Sequence, residues 1–106
     1  MGAVMTQLTN QDREKLLIKL LLELYSGQIS EGALLRRLRK DVLGLNQEGY
    51  AKLVGVSRRT LSDVERDQGQ LTMSVYAAVF KPLGLKPGLL PRSDRLLKSM
   101  ISTLGQ

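Results

Sequence analysis

Residues 47–66 read QEGYAKLVGVSRRTLSDVER, and within that run Arg58, Arg59, Ser62 and Asp63 share one side of a short helix. The chemistry they offer is hydrogen bonding. Two guanidiniums donate in a fixed fork, a hydroxyl both donates and accepts, and a carboxylate accepts. Polar groups of these kinds can contact the edges of nucleic-acid bases. Catalysis has far less to draw on. The chain contains no cysteine and no histidine, so it offers no thiolate nucleophile, no imidazole base, no disulfide and none of the nitrogen or sulfur ligands that zinc prefers. Glu48, Asp63 and Glu65 are close in sequence, but nothing in their spacing marks a catalytic dyad. No enzyme activity, metal or cofactor is expected.

Presenting those four side chains outward requires two short helices crossing over a tight turn. The residue types fit position by position. Ala51 is small where the helices cross, Gly55 permits the positive φ of the turn, and Tyr50, Val54, Val56, Leu61 and Val64 are apolar at spacings that point into a shared core. Asn46 is placed to cap a helix over 47–54, and Ser57 to cap one over 58–66.

The remaining sequence supplies the support. Of 106 residues, 22 are leucine, against 15 valines, isoleucines and threonines together. That balance favours an all-α fold, because unbranched and γ-branched side chains lose less rotamer freedom in a helix. Residues 1–8 show no clear period and are expected to be irregular. Thr9 or Asn10 then caps a helix over 11–25, whose polar positions Lys15, Lys19 and Glu23 recur every four residues between leucines. Ser30 opens a helix over 30–43 with Leu34, Leu35, Leu38 and Val42 on one face and Arg36, Arg37, Arg39 and Lys40 mostly on the other. Residues 67–71 read as a loop. Thr72 or Ser74 begins a helix that Pro82 bends or ends, and Ser93 begins a last, weaker one.

Net charge is +6, unevenly distributed. Residues 1–31 hold three basic and four acidic side chains, 32–66 eight and four, and 67–106 five and two. A basic middle suits an anionic partner. The longest apolar stretch, 16–25, carries Lys19 and Glu23 and is half the length of a membrane span. No membrane association or secretory signal is expected, and a cytoplasmic location fits best.

The run LRRLRKDVLGLNQEGYAKLVGVSRRTLSDVERDQG resembles the bacterial and phage helix-turn-helix regulators of the phage-repressor and Cro type, the XRE family. The likeness covers about 34–90. It implies a five-helix DNA-binding domain; the helix periodicity adds an N-terminal amphipathic helix and a short C-terminal helix outside it, for an expected division of 1–31, 32–91 and 92–106. By the same likeness the helix around 57–67 enters the major groove of double-stranded DNA. Arg58 and Arg59 become the first candidates for reading bases, followed by Ser62 and Asp63, while Gln47, Ser57 and Thr60 become phosphate contacts. Gly49 and Pro82 depart from the family pattern, and a close backbone approach is one reason for the glycine.

Other expectations concern residues outside the base-reading set. Arg36, Arg37, Arg39 and Lys40 face water, with one or two at most touching phosphate. Tyr50, Tyr76 and Phe80 are core, and Glu65 and Arg66 form a structural ion pair or cap. The 11–25 helix has apolar surface to spare, and Leu17, Leu20, Leu21 and Leu24 are candidates for an oligomer interface. A homodimer or higher homo-oligomer acting as a repressor on an inverted repeat follows. The alternative is an antitoxin or adaptor whose N-terminal helix binds a protein partner.

Overall fold

Every α-helix in the described residues begins at a side chain able to accept a hydrogen bond. In the computed structural model, which describes residues 9–105, Thr9, Ser30, Asn46, Ser57, Thr72 and Ser93 each accept from the backbone N–H three residues ahead. Each such cap contributes about 1 kcal/mol. Thr9 goes further, because Asp12 returns the bond to its backbone N–H in a capping box. Residues 1–8, expected to be irregular, lie outside the described residues.

The helices so opened are α1 (Asn10–Tyr25), α2 (Glu31–Leu38), α3 (Gln47–Val54), α4 (Arg58–Glu65), α5 (Met73–Phe80) and α6 (Asp94–Leu104), with no strand among the described residues. α2 widens into a π-type turn over Arg39–Leu43. α5 stops at Phe80, where Pro82 permits only the short 3-10 turn Lys81–Leu83. α2 to α5 and this turn make five helical elements, preceded by α1 and followed by α6. None of the described helices is long and apolar enough to cross a membrane.

The core forms where α1 to α5 converge. Leu20 of α1, Leu34, Leu35 and Leu38 of α2, Tyr50 and Ala51 of α3, Leu61 and Val64 of α4, and Val79 and Phe80 of α5 are buried there with Leu83. Each large aliphatic side chain contributes about 1.5–3 kcal/mol by leaving water. Tyr76 is half-buried edge-on to Phe80, with ring centroids 5.1 Å apart, so these aromatics pack as expected. α6 reaches the rest of the protein mainly through Leu97.

Of the four α1 leucines named for an oligomer interface, one lies in the core and three at its edge. Leu20 is fully enclosed, and Leu17, Leu21 and Leu24 pack partly buried against the same core. All four turn inward because α1 lies on α2, and its free apolar surface is Ile18 and Leu22, each about half exposed.

Candidate nucleic-acid interface

α3 and α4 are joined by a three-residue turn that the sequence dictates atom by atom. Gly55 sits at φ 77°, which a side chain would strain, and the N–H groups of Gly55 and Val56 both donate to Ala51 O, at 2.9 and 3.0 Å. Ser57 Oγ then accepts from Thr60 N at 3.0 Å and starts α4. Ala51, Tyr50, Leu61 and Val64 face the core, and Val54 and Val56 pack at its edge. The outer surface of α4 is thereby fixed.

On that surface Arg58 and Arg59 are exposed and form no salt bridge among the described residues. Ser62 and Asp63 sit half-buried one turn on. Asp63 is already engaged, since Arg66 Nη2 donates to its Oδ1 at 2.9 Å. Ser57 Oγ also donates to Thr60 Oγ1 at 2.9 Å, which leaves the Thr60 hydroxyl hydrogen free for another acceptor. The six residues of α4 and its cap named as contacts thus lie together. Gln47 starts α3 and reaches α4, its Nε2 donating to Glu65 Oε1 at 3.0 Å.

Arg39 corrects the reading of the basic residues on α2. It is buried instead of facing water, its Nε and Nη2 donating to Glu65 Oε2 and Oε1 at 2.6 and 2.9 Å, and its Nη1 donating to Leu45 O at 2.7 Å. The two side chains are 6% and 2% exposed. Arg36 and Lys40 remain exposed, and Arg37 makes loose contacts to Glu23 and Asp41 at 3.9 and 3.6 Å. Glu65 and Arg66 are both in ion pairs, though with Arg39 and Asp63 instead of with each other. One carboxylate therefore ties α2, the start of α3 and the end of α4 together. Nearby, Tyr50 donates its hydroxyl to Val79 O. Burial first, and then the Glu65 carboxylate, push its phenol up to about 12, with Arg39 opposing.

The sequence held a signal for the Arg39–Glu65 pair. Each residue sits four positions after a core leucine, Leu35 or Leu61, on the inward face of its helix. Opposite charges at two such positions require each other. Asp67 carried no comparable signal: in a segment read as loop, it accepts from Ser30 Oγ and Gly32 N across 37 and 35 residues. The departure at Gly49 has a local cause, since a Cβ there would lie 3.2 Å from the capping Asn46 Oδ1, not against another backbone.

Comparison with known proteins gives one match. A family model described as helix-turn-helix covers residues 35–90. No curated protein and no solved structure matches the chain.

Proposed function

The chain belongs to the XRE-type helix-turn-helix family of DNA-binding regulatory domains, and from that premise we propose that it is a sequence-specific repressor which reads an inverted repeat as a dimer. The observation carrying this reading is the pair Arg58 and Arg59, exposed and without salt bridges among the described residues, at the start of a helix whose other end is held by a buried ion pair. Either guanidinium can donate two parallel hydrogen bonds to guanine O6 and N7, which discriminates against a wrong base by about 1–3 kcal/mol. Ser62 reads a neighbouring base. Asp63 accepts from cytosine N4 only by giving up Arg66, so it ranks last of the four. Ser57, Thr60 and Gln47 fix register on phosphates, Gln47 with the N–H of its amide that Glu65 leaves free. Such a partner lies in the bacterial cytoplasm.

Dimerisation is best supported by α6. Leu96, Met100 and Leu104 form an exposed stripe at four-residue spacing, and Leu89 and Leu90 are exposed nearby. To read both half-sites, such a dimer has to set its two α4 helices about 34 Å apart, one turn of DNA. A second reading, an antitoxin or adaptor that docks a protein on α1, is favoured by exposed Ile18 and Leu22, which lie outside the matched residues.

Selection from a random-duplex library, with salt titration of the winners, tests the proposal. The expected product is an inverted repeat with half-sites one turn apart. Arg58→Ala relaxes one or two base pairs in it, and Gln47→Ala weakens all sequences alike. No enrichment over random DNA from a folded protein moves the reading to the interaction module.

A further inference from the structure

We propose that Asp67 is a positioning residue for sequence recognition, clamping the C-terminal end of α4 to the first turn of α2 and so setting the angle at which Arg58 and Arg59 meet DNA. The inference rests on the DNA-binding reading above. Asp67 lies just past Arg66, the C-cap of α4, and is the one non-glycine position among the described residues with a left-handed backbone, φ 57°. That conformation is unfavourable for L-residues, least so for Asp and Asn. It turns the carboxylate back on α2, where Oδ2 accepts from Ser30 Oγ at 2.6 Å and Oδ1 from Gly32 N at 2.8 Å. Ser30 Oγ in turn accepts from Ala33 N at 3.1 Å. One carboxylate thus locks the cap of α2, satisfies one of its free N–H groups and sits at the positive end of its dipole.

The helices meet here backbone to backbone. A Cβ on Gly32 would lie 2.5 Å from Val64 O, 2.6 Å from Glu65 O and 2.8 Å from Asp67 Oδ1. Seven residues further along α2, Arg39 holds Glu65. α4 is therefore fastened to α2 at two places about 10 Å apart along the α2 axis, and two fixed points set a direction where one permits tilting. Arg58 lies about 10 Å from Glu65 along α4, so a tilt of about 6° moves it by about 1 Å. A bidentate contact to a base edge does not tolerate that displacement, whereas single contacts to phosphate adapt to it. The clamp acts on discrimination more than on total affinity.

Asp67→Gly removes the carboxylate while relieving the backbone, and Asp67→Asn keeps one acceptor without the charge. Both are compared with the wild type, at equal helical content, for affinity to the selected duplex and to random duplex, and for hydrogen exchange at the Gly32 amide. For Asp67→Gly the expected result is about tenfold weaker binding to the selected duplex, random-duplex affinity within about twofold, and faster Gly32 exchange; Asp67→Asn falls between. A specific-to-random ratio equal to wild type in a variant whose Gly32 amide has lost protection overturns the proposal. Should Asp67→Gly fail to fold, Asp67→Asn is judged on the same ratio. A wild-type protein that selects no sequence overturns the DNA-binding reading and this inference with it, while Gly32 exchange still reports whether the clamp exists.

Discussion

Arg39 and Glu65 bury opposite charges between three helices, and their energetics are those of a desolvated pair. Removing one partner strands the other, which costs about 3–5 kcal/mol, whereas replacing both by apolar residues of similar volume is far milder. Arg39→Met and Glu65→Leu alone are each expected to lower unfolding free energy in urea by that amount, and the double variant to recover much of the loss. Tyr50, beside them, gives a pH signature. Its phenol titrates at about 12 in the folded protein against the ordinary 10.0, so the folded state holds its proton longer than the unfolded chain. This contribution is complete below pH 10 and is lost as pH rises toward 12. Urea midpoints across that window should fall less steeply in Tyr50→Phe than in the wild type.

α4 is eight residues long, too short to persist alone, and its shape is imposed by its neighbours. Ser57 caps one end, Leu61 and Val64 bury its inner face, and α2 grips the other end through Arg39 and the first-turn residues Ser30 and Gly32. Gly32 is where this packing is least forgiving. A methyl group would have to displace backbone carbonyls of α4, and neither can move without shifting that helix. Although alanine is the better helix former by about 1 kcal/mol, Gly32→Ala is expected to destabilise by about 1–3 kcal/mol. Thermal unfolding read against Gly49→Ala separates the two effects, since the neighbour at Gly49 is a side-chain oxygen at 3.2 Å.

Across the whole molecule, apolar surface is divided unequally. α1 buries Leu20, packs Leu17, Leu21 and Leu24 against the core and leaves Ile18 and Leu22 in water, while α6 buries Leu97 and leaves Leu96, Met100 and Leu104 in water. If α6 is the dimer interface, Met100→Glu makes the protein monomeric by sedimentation and abolishes tight binding to the full inverted repeat. Single half-site binding should survive within about twofold, because Arg58 and Arg59 are untouched. A dimer that persists in Met100→Glu but not in Ile18→Glu with Leu22→Glu relocates the interface to α1.

The sequence by itself determined the helices, their caps and the face α4 presents, because these depend on contacts a few residues apart. Asn46, Gly55 and Ser57 declare the α3–α4 turn without reference to the rest of the chain. It also marked Arg59 as outward, since that residue lies opposite Leu61 and Val64 on the helix, whereas Arg58 stands at the flank of the apolar face and its exposure is a result of the fold. Only the tertiary structure decided what depends on how the helices cross. Arg39 follows core Leu35 by four residues, but what covers it is visible only in the fold, where α4 arrives over it with Glu65 while Arg36 stays exposed. Leu20 became core because α1 lies on α2, and Asp67 acquired a role because folding brings Gly32 to it across 35 residues. Periodicity reports which face of a helix is apolar. Which neighbour covers that face is set by contacts between residues far apart in the chain, and those the spacing of residues within one helix does not encode.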